Sequence, residues 1–446
     1  MTGPKQGTWA LALTVVVTVA TPAAAPPAAR KATHMQTLHG DQLQDDYFWL
    51  RERENPEVKA YLEKENAFTD AFMKPTEGLQ KTLYDEMLGR IKETDLSVPY
   101  RDRGWYYYMR TEKGKQYPIW CRKKGTLDAP EEVYLDVNEL AKGERFMNVQ
   151  VRAFTDDGRL LAYTSDNTGF RDYTLRLKDM ATGKLLPEKV ERVTSVAWAP
   201  DNKTLFYATT DPAKRPFQIF RHTIGTDTAA DTLLYAEKDE RFRVGVFRSR
   251  SGDYLFFPVS SLTSSEWRYV PAATPTAEPK MIAPREADHE YTVDHRGDLF
   301  YIQTNDKGRN NRLVKAPVTD PRRENWQEVI AHRDNVMLED FDTFKDWTVL
   351  YEREDALPRI RIIGEKAGSD YRIDFPEAIY YAGPSTNREF DTGLLRIDFE
   401  SYTTPPSVYD FDMFAEIFSP ARRASSTFAI AWSILGQFAL PAALRW

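Results

Sequence analysis

The chain has 446 residues, 41% of them apolar and 28% charged, with a formal net charge of −7 and a pI of about 5.6. That mixture is globular rather than disordered, and the length allows a large core or several domains. Acidic and basic residues are interspersed without a Lys/Arg run, which argues against a nucleic-acid partner. The single cysteine, Cys121, forbids an intrachain disulfide and a cysteine zinc cluster. It is read as a buried structural thiol beside Ile119 and Trp120.

Residues 1–31 read as a targeting segment. Lys5 gives a weakly positive start, Ala10–Ala20 is an apolar run of signal-peptide length, and Ala/Pro-rich small residues follow. Export, to the periplasm, is the expectation. Asp41–Arg90 then shows helical spacing, within an N-terminal helical segment at 36–92. Asn55-Pro56-Glu57 is a helix start, with Asn capping and Pro at the first helical position. Val58, Tyr61, Leu62, Glu65 and Phe68 follow at helical spacing, and a second helix fits Leu79–Ile91. Tyr47-Phe48-Trp49-Leu50 is too apolar to stay in water.

From Glu93 the period changes to two, and one hairpin phrase recurs. FTDDGRLLAYTS at Phe154–Ser165 shows it best, with Asp157-Gly158 read as a tight two-residue turn. Further copies are DRGWYYYM (Asp102–Met109), PDNKTLFY (Pro200–Tyr207), SGDYLFF (Ser251–Phe257) and RGDLFYI (Arg296–Ile302). KDWTVLYE (Lys345–Glu352) and DTGLLRIDF (Asp391–Phe399) complete about seven. Their steps of roughly 44 to 54 residues suit one four-stranded propeller blade each. The fold class is therefore mainly β: a seven-bladed β-propeller over 93–411, preceded by a short helical segment. Residues 412–446 lack the phrase and form a divergent apolar tail. Membrane contact is expected only if 427–444 inserts; an end unrelated to the preceding domain is the preferred reading.

Residues that could carry chemistry are few. His34, His39, His222, His289, His295 and His332 show no ligand spacing. Asp294-His295 reads as a strand-end turn, since no activated serine accompanies it in sequence. Asp156-Asp157, Glu131-Glu132 and Asp45-Asp46 read as turn or solvated carboxylates. Gly104 and Gly114 flank strands, so no phosphate loop is present. Trp105–Tyr108 reads as alternating strand residues between blades. No catalytic residue, cofactor or metal site is assigned.

Longer stretches carry a resemblance. EMLGRIKETDLSVPYRDRGWYYYMRTEKGKQYPIWCRKKG (Glu86–Gly125) and DDYFWLRERENPEVKAYLEKEN (Asp45–Asn66) resemble the oligopeptidase B branch of the prolyl oligopeptidase family. So do RVTSVAWAPDNKTLFYATTD (Arg192–Asp211), IFRHTIGTD (Ile219–Asp227), YTVDHRGDLFYIQTN (Tyr291–Asn305) and SVYDFDM (Ser407–Met413). The resemblance covers about residues 36 to 413. It implies a seven-bladed propeller capping an α/β-hydrolase serine-peptidase domain, with N-terminal helices packed on that domain. It also implies cleavage of short peptides after Lys or Arg.

The sequence departs from that pattern after SVYDFDM, where a hydrolase domain is expected. No serine has glycine at both flanking positions of G-x-S-x-G; Ser385 in Gly383-Pro384-Ser385-Thr386-Asn387 comes nearest. The expectation is an oligopeptidase-B-like chain that does not cleave peptides by itself and is not labelled by a fluorophosphonate. Short basic peptides are its expected ligands if a hydrolase domain is supplied. Alternatives are a propeller scaffold that binds a partner, and one half of a split peptidase.

Overall fold

The computed structural model describes residues 25–365 and 368–422. The apolar run Ala10–Ala20 and the stretch 427–444 lie outside the described residues. Two compact units divide at Arg90.

In the first unit, strands His34–Leu38 and Asp41–Asp45 pair antiparallel. His39 and Gly40 make the turn, both at positive φ (51° and 93°). The helical reading from Asp41 is thus corrected: a left-handed two-residue turn closes a hairpin there. Arg30, placed in the targeting segment, is tied into this unit. Its guanidinium donates to Glu57 Oε1 at 2.6 Å, and the Trp49 indole donates to its carbonyl at 2.8 Å. A short 3₁₀ turn, Phe48–Arg51, buries Trp49. The first helix, Pro56–Met73, starts as expected, with the Asn55 side chain accepting the Glu57 N–H at 2.9 Å. One 3₁₀ turn, Lys74–Thr76, leads into the second helix, Glu77–Arg90. Among the residues of both helices only Val58 is buried, while Leu62, Phe72, Leu79, Leu83, Tyr84 and Met87 are exposed.

The second unit consists of seven antiparallel sheets made from consecutive strands, spanning 100–136, 148–190, 193–236, 243–281, 291–330, 336–372 and 380–422. These are blades one to seven. All seven hairpin phrases fall between the first and second strands of a blade. The seventh sheet takes its fourth strand from Ile417–Arg422, so the expected propeller end at Phe411 falls one strand short. That strand carries no hairpin phrase, and it is defined by pairing with Ser407–Asp412. Blade four's first strand is broken into Arg243–Val244 and Phe247–Arg248, both paired with Tyr254–Ser260.

Two turn constructions recur. At Asp157-Gly158 the loop is longer than the expected two residues. The Thr155 N–H donates to the Leu160 carbonyl (3.1 Å), and the Gly158 N–H to the Thr155 carbonyl (2.9 Å). Gly158 alone in that loop has positive φ, 70°. Ala199–Thr204 and Ser249–Tyr254 repeat this construction, with Asn202 and Gly252 at the left-handed position. Two-residue turns occur instead at Arg103-Gly104 and Asp355-Ala356, where both residues are left-handed.

Buried apolar clusters lie between successive blades. Tyr107 and Leu161 belong to the cluster joining blades one and two, and Leu177 and Leu205 to that joining two and three. Equivalent clusters join each later pair up to Val349 and Leu395 between six and seven. Among the described residues no such cluster joins seven to one. There Arg396 donates to the Pro99 carbonyl at 2.6 Å, and Arg101 lies 3.3 Å from Glu389. No described helix is long and apolar enough to cross a membrane.

Candidate functional site

The first strands of blades one to six, with Asn387 and Arg388 from the connection after blade seven's first strand, line one cavity of about 650 Å³, the central channel. Equivalent strands run the same way in every blade, so the first-to-second hairpins gather at one mouth. Side chains of Asp156, Arg248, Arg250, Asp294, Asp342 and Arg388 face this channel near that mouth.

Blade four supplies two guanidinium groups that cross it. Arg248 ends the first strand and Arg250 lies two residues on, in the turn, and both side chains face the channel. Arg248 donates to Asp156 of blade two at 2.7 Å and to the Gly252 carbonyl at 2.6 Å. Arg103 of blade one approaches the same Asp156 at 3.3 Å. Arg250 pairs with Asp342 of blade six. It also donates to the Thr343 carbonyl (3.3 Å) and, in blade seven, to the Asn387 carbonyl (3.0 Å). The Arg250 guanidinium lies 4.6 Å from the centroid of Phe344. Blade two is not adjacent to blade four in the ring, and neither are six and seven. Bonds between non-adjacent blades run across the bore, so this mouth is bridged by ion pairs.

The channel also holds carboxylates with less compensation. Asp294 of blade five accepts the Thr343 hydroxyl and the His295 N–H (2.8 Å). Burial within the ring pushes its carboxyl above the usual range, with Arg250 and Thr343 opposing. Asp340 is raised for the same reason and accepts the Phe341 N–H at 2.8 Å. Burial likewise raises Asp102. These groups retain solvent contact through the bore while protein surrounds them. Arg388 has no ion-pair partner among the described residues and faces the same space. The wall therefore offers a carboxylate sector at blades five and six and a cationic position at blade seven.

Several residues singled out in the sequence take structural roles. The Ser385 N–H donates to the Arg396 carbonyl at 3.1 Å, just beyond strand Tyr380–Pro384. Glu131 accepts the Tyr108 hydroxyl at 2.5 Å, and Glu132 pairs with the buried Arg122 at 2.8 Å. Asp45 accepts the Tyr47 N–H at 2.8 Å, and Asp46 the Thr33 hydroxyl at 3.1 Å. Asp157 is a turn acceptor for the Arg159 N–H at 3.0 Å. Tyr107 and Tyr108 are buried, while Arg122 lies 3.9 Å from the Trp105 ring centroid. Cys121 is fully buried, and burial pushes its thiol up to about 12. His34 stacks on Phe48, His222 Nδ1 lies 2.6 Å from Asp231, and His289 Nε2 lies 2.9 Å from Thr304.

Two readings need correction. Asp156 is not merely a turn residue, since it takes the cross-channel contact of Arg248. Asp294 and His295 lie within strand Tyr291–Arg296, with His295 only 2% exposed, rather than in a turn. His295 also has a serine partner, Ser251, at 2.8 Å. Sequence reasoning missed Arg248, Arg250 and Ser251 because their partners are 44 to 137 residues away. No His, Cys, Asp and Glu grouping among the described residues could hold a metal ion.

Comparisons with known proteins agree with this architecture. The family described as prolyl oligopeptidase, N-terminal beta-propeller domain, matches residues 26–421. Dipeptidyl aminopeptidase BI of Pseudoxanthomonas mexicana is 41% identical over 416 residues, covering 87% of this chain and 56% of the relative. Protease 2 of Moraxella lacunata is 32% identical, covering 87% and 57%. Oligopeptidase B from Leishmania major superposes with a TM-score of 0.83 at 26% identity, over 90% of this chain and 61% of that one. The Trypanosoma brucei oligopeptidase B with covalently bound antipain gives 0.82 at 29%, with the same coverage. The chain thus spans little more than half the length of these relatives. Seven contiguous blades, a channel between them and a match over nearly the whole described length lead to one assignment: this chain belongs to the prolyl oligopeptidase family and supplies its N-terminal β-propeller domain.

Proposed function

We propose that this chain is the size- and charge-selecting part of an oligopeptidase-B-like serine peptidase that acts on short peptides at Lys or Arg. The observation that carries the reading is the channel mouth bridged by Arg248–Asp156 and Arg250–Asp342 beside Asp294 and Asp340, whose carboxyls burial raises. A bridged bore excludes folded protein. A carboxylate sector lining a narrow bore focuses its field and attracts cationic side chains more strongly than an open surface would. Acyl transfer itself needs an activated serine, a histidine base and oxyanion donors, which this reading assigns to a hydrolase domain. The N-terminal segment supports export to the periplasm, a reading that signal-cleavage mapping would test.

Calorimetric titration of the chain with a short Arg-containing peptide tests the filter. Binding is expected, weakening with added salt and in Asp340→Asn. An absence of binding, or equal binding of an unfolded polypeptide of domain length, would sink it. A second reading, a scaffold that docks a partner on one face, has its own support. Phe170, Leu262 and Tyr402 are 74%, 95% and 77% exposed, each in a connection between second and third strands. Such connections all emerge at the mouth opposite the hairpins.

A further inference from the structure

Ser251 of blade four and His295 of blade five meet beside the bridged mouth. Ser251 Oγ lies 2.8 Å from His295 Nδ1, and His295 Nε2 lies 2.6 Å from the Gly297 carbonyl. A carbonyl can only accept, so Nε2 carries the ring proton. Nδ1 is left as a lone-pair acceptor aimed at the serine hydroxyl. The imidazole is held between Tyr254 (4.5 Å between centroids) and Phe300 (5.8 Å). Its burial disfavours the imidazolium form and lowers its pKa, against the Gly297 carbonyl and the Asp253, Asp294 and Asp298 carboxylates, which raise it; Asp253 Oδ2 lies 3.8 Å from Nδ1. Ser251 is itself only half-buried, at a hairpin tip. Its oxygen is fixed by the Asp253 N–H at 3.3 Å and by Ser249 Oγ at 2.8 Å. Ser249 Oγ also accepts the Tyr254 N–H at 3.1 Å, and with the Ser251 proton given to Nδ1, Ser249 is the donor between the two hydroxyls.

This is the geometry of a hydroxyl with a positioned base, the base oriented by a third group. We propose that Ser251 is a base-activated nucleophile and a covalent modification site for activated acyl esters and fluorophosphonates, with His295 as its base. In the phosphonyl case Oγ forms a bond to phosphorus and the P–F bond breaks. Fluoride leaves with the bonding pair, and the Oγ proton passes to His295 Nδ1 and then to water. With an ester, Oγ bonds the acyl carbon and the alkoxide or phenoxide leaves. Peptide bonds are a different matter. The nearest backbone donors, Gly252 N–H and Asp253 N–H, are already bonded to the Ser249 carbonyl and to Ser251 Oγ. Without free donors for an oxyanion, amide cleavage is not expected. The site is distinct in kind from the peptidase activity proposed above and does not depend on it. It replaces the expectation that no serine in this chain reacts with a fluorophosphonate.

The test is to incubate the folded chain with a fluorophosphonate and map the adduct by tandem mass spectrometry. The expected adduct is on Ser251, absent in Ser251→Ala. In His295→Asn, which keeps an acceptor for the hydroxyl but loses the base, the rate should fall about 100-fold. Circular dichroism melts confirm that both variants fold. The wild-type rate should level off above the histidine pKa, rather than climb with hydroxide as an unassisted hydroxyl would. No adduct, an adduct on another serine, or an unchanged rate in His295→Asn would overturn the proposal.

Discussion

Arg250 reaches two blades other than its own, and its side chain is only 16% exposed, as is that of Asp342. Its planar fork satisfies a carboxylate and two carbonyls at once, a pattern that lysine's single ammonium cannot reproduce. Removing it leaves Asp342 and Asp294 facing each other's charge inside the ring. Arg250→Met is therefore expected to cost about 3 kcal/mol, by analogy with other broken buried pairs. Arg250→Lys should recover only part of that loss. Urea unfolding of the three proteins checks it; a loss below about 1 kcal/mol for the Met variant, the scale of an exposed pair, would mean the bridge is too solvated to matter.

At the scale of elements, the joint between blades three and four rests on a buried charge network closed by Arg285, from the connection that follows blade four. Arg285 lies 2.5 Å from Glu237 and 3.0 Å from Glu266, both carboxylates being 5% exposed. Burial pushes these two carboxyls up, but the Arg285 bonds and their companions outweigh it, so both sit below the usual range. A depressed carboxyl contributes stability that is present above its unfolded pKa and lost as pH falls through the native value. In Arg285→Met the burial penalty on Glu237 has no guanidinium to offset it. The variant should lose about 3 kcal/mol at pH 7, and the deficit should shrink below about pH 4 as the carboxyls protonate. Denaturant midpoints measured from pH 7 down to acid test the sign. A deficit that is constant with pH would assign the loss to packing on Phe242, over whose ring Arg285 sits at 3.9 Å.

At the scale of the molecule, apolar clusters join successive blades from one to seven, whereas seven meets one through Arg396, Pro99, Arg101 and Glu389. Polar joints in contact with water hold less tightly than buried apolar ones. Hydrogen exchange should therefore be faster in Tyr100–Asp102 than in the equivalent strand Val193–Trp198. Arg396→Met should widen that difference. The helices at 56–90, with Val58 their single buried side chain among the described residues, should exchange faster still. Uniform protection around the ring and along the helices would contradict this ranking of joints.

The amino-acid sequence determined the repeat. Each Gly, Asn or Asp turn and the alternation behind it are local, so seven hairpins and the Asn55 cap could be read without knowing what packs where. It could not give the fourth strand at Ile417–Arg422, the His34–Asp45 hairpin or the length of the Asp157-Gly158 loop, because pairing partners and turn closure set those. Least legible was the channel. Asp156, Arg248 and Arg250 are ordinary polar residues next to turns in the chain, and they become a bridge only when the ring brings non-adjacent blades within 3 Å of one another. Packing of the adjacent blades four and five sets Ser251 against His295, and burial in the bore raises Asp294 and Asp340. Contacts across a ring have no sequence period, so tertiary structure alone decided which charges would face each other.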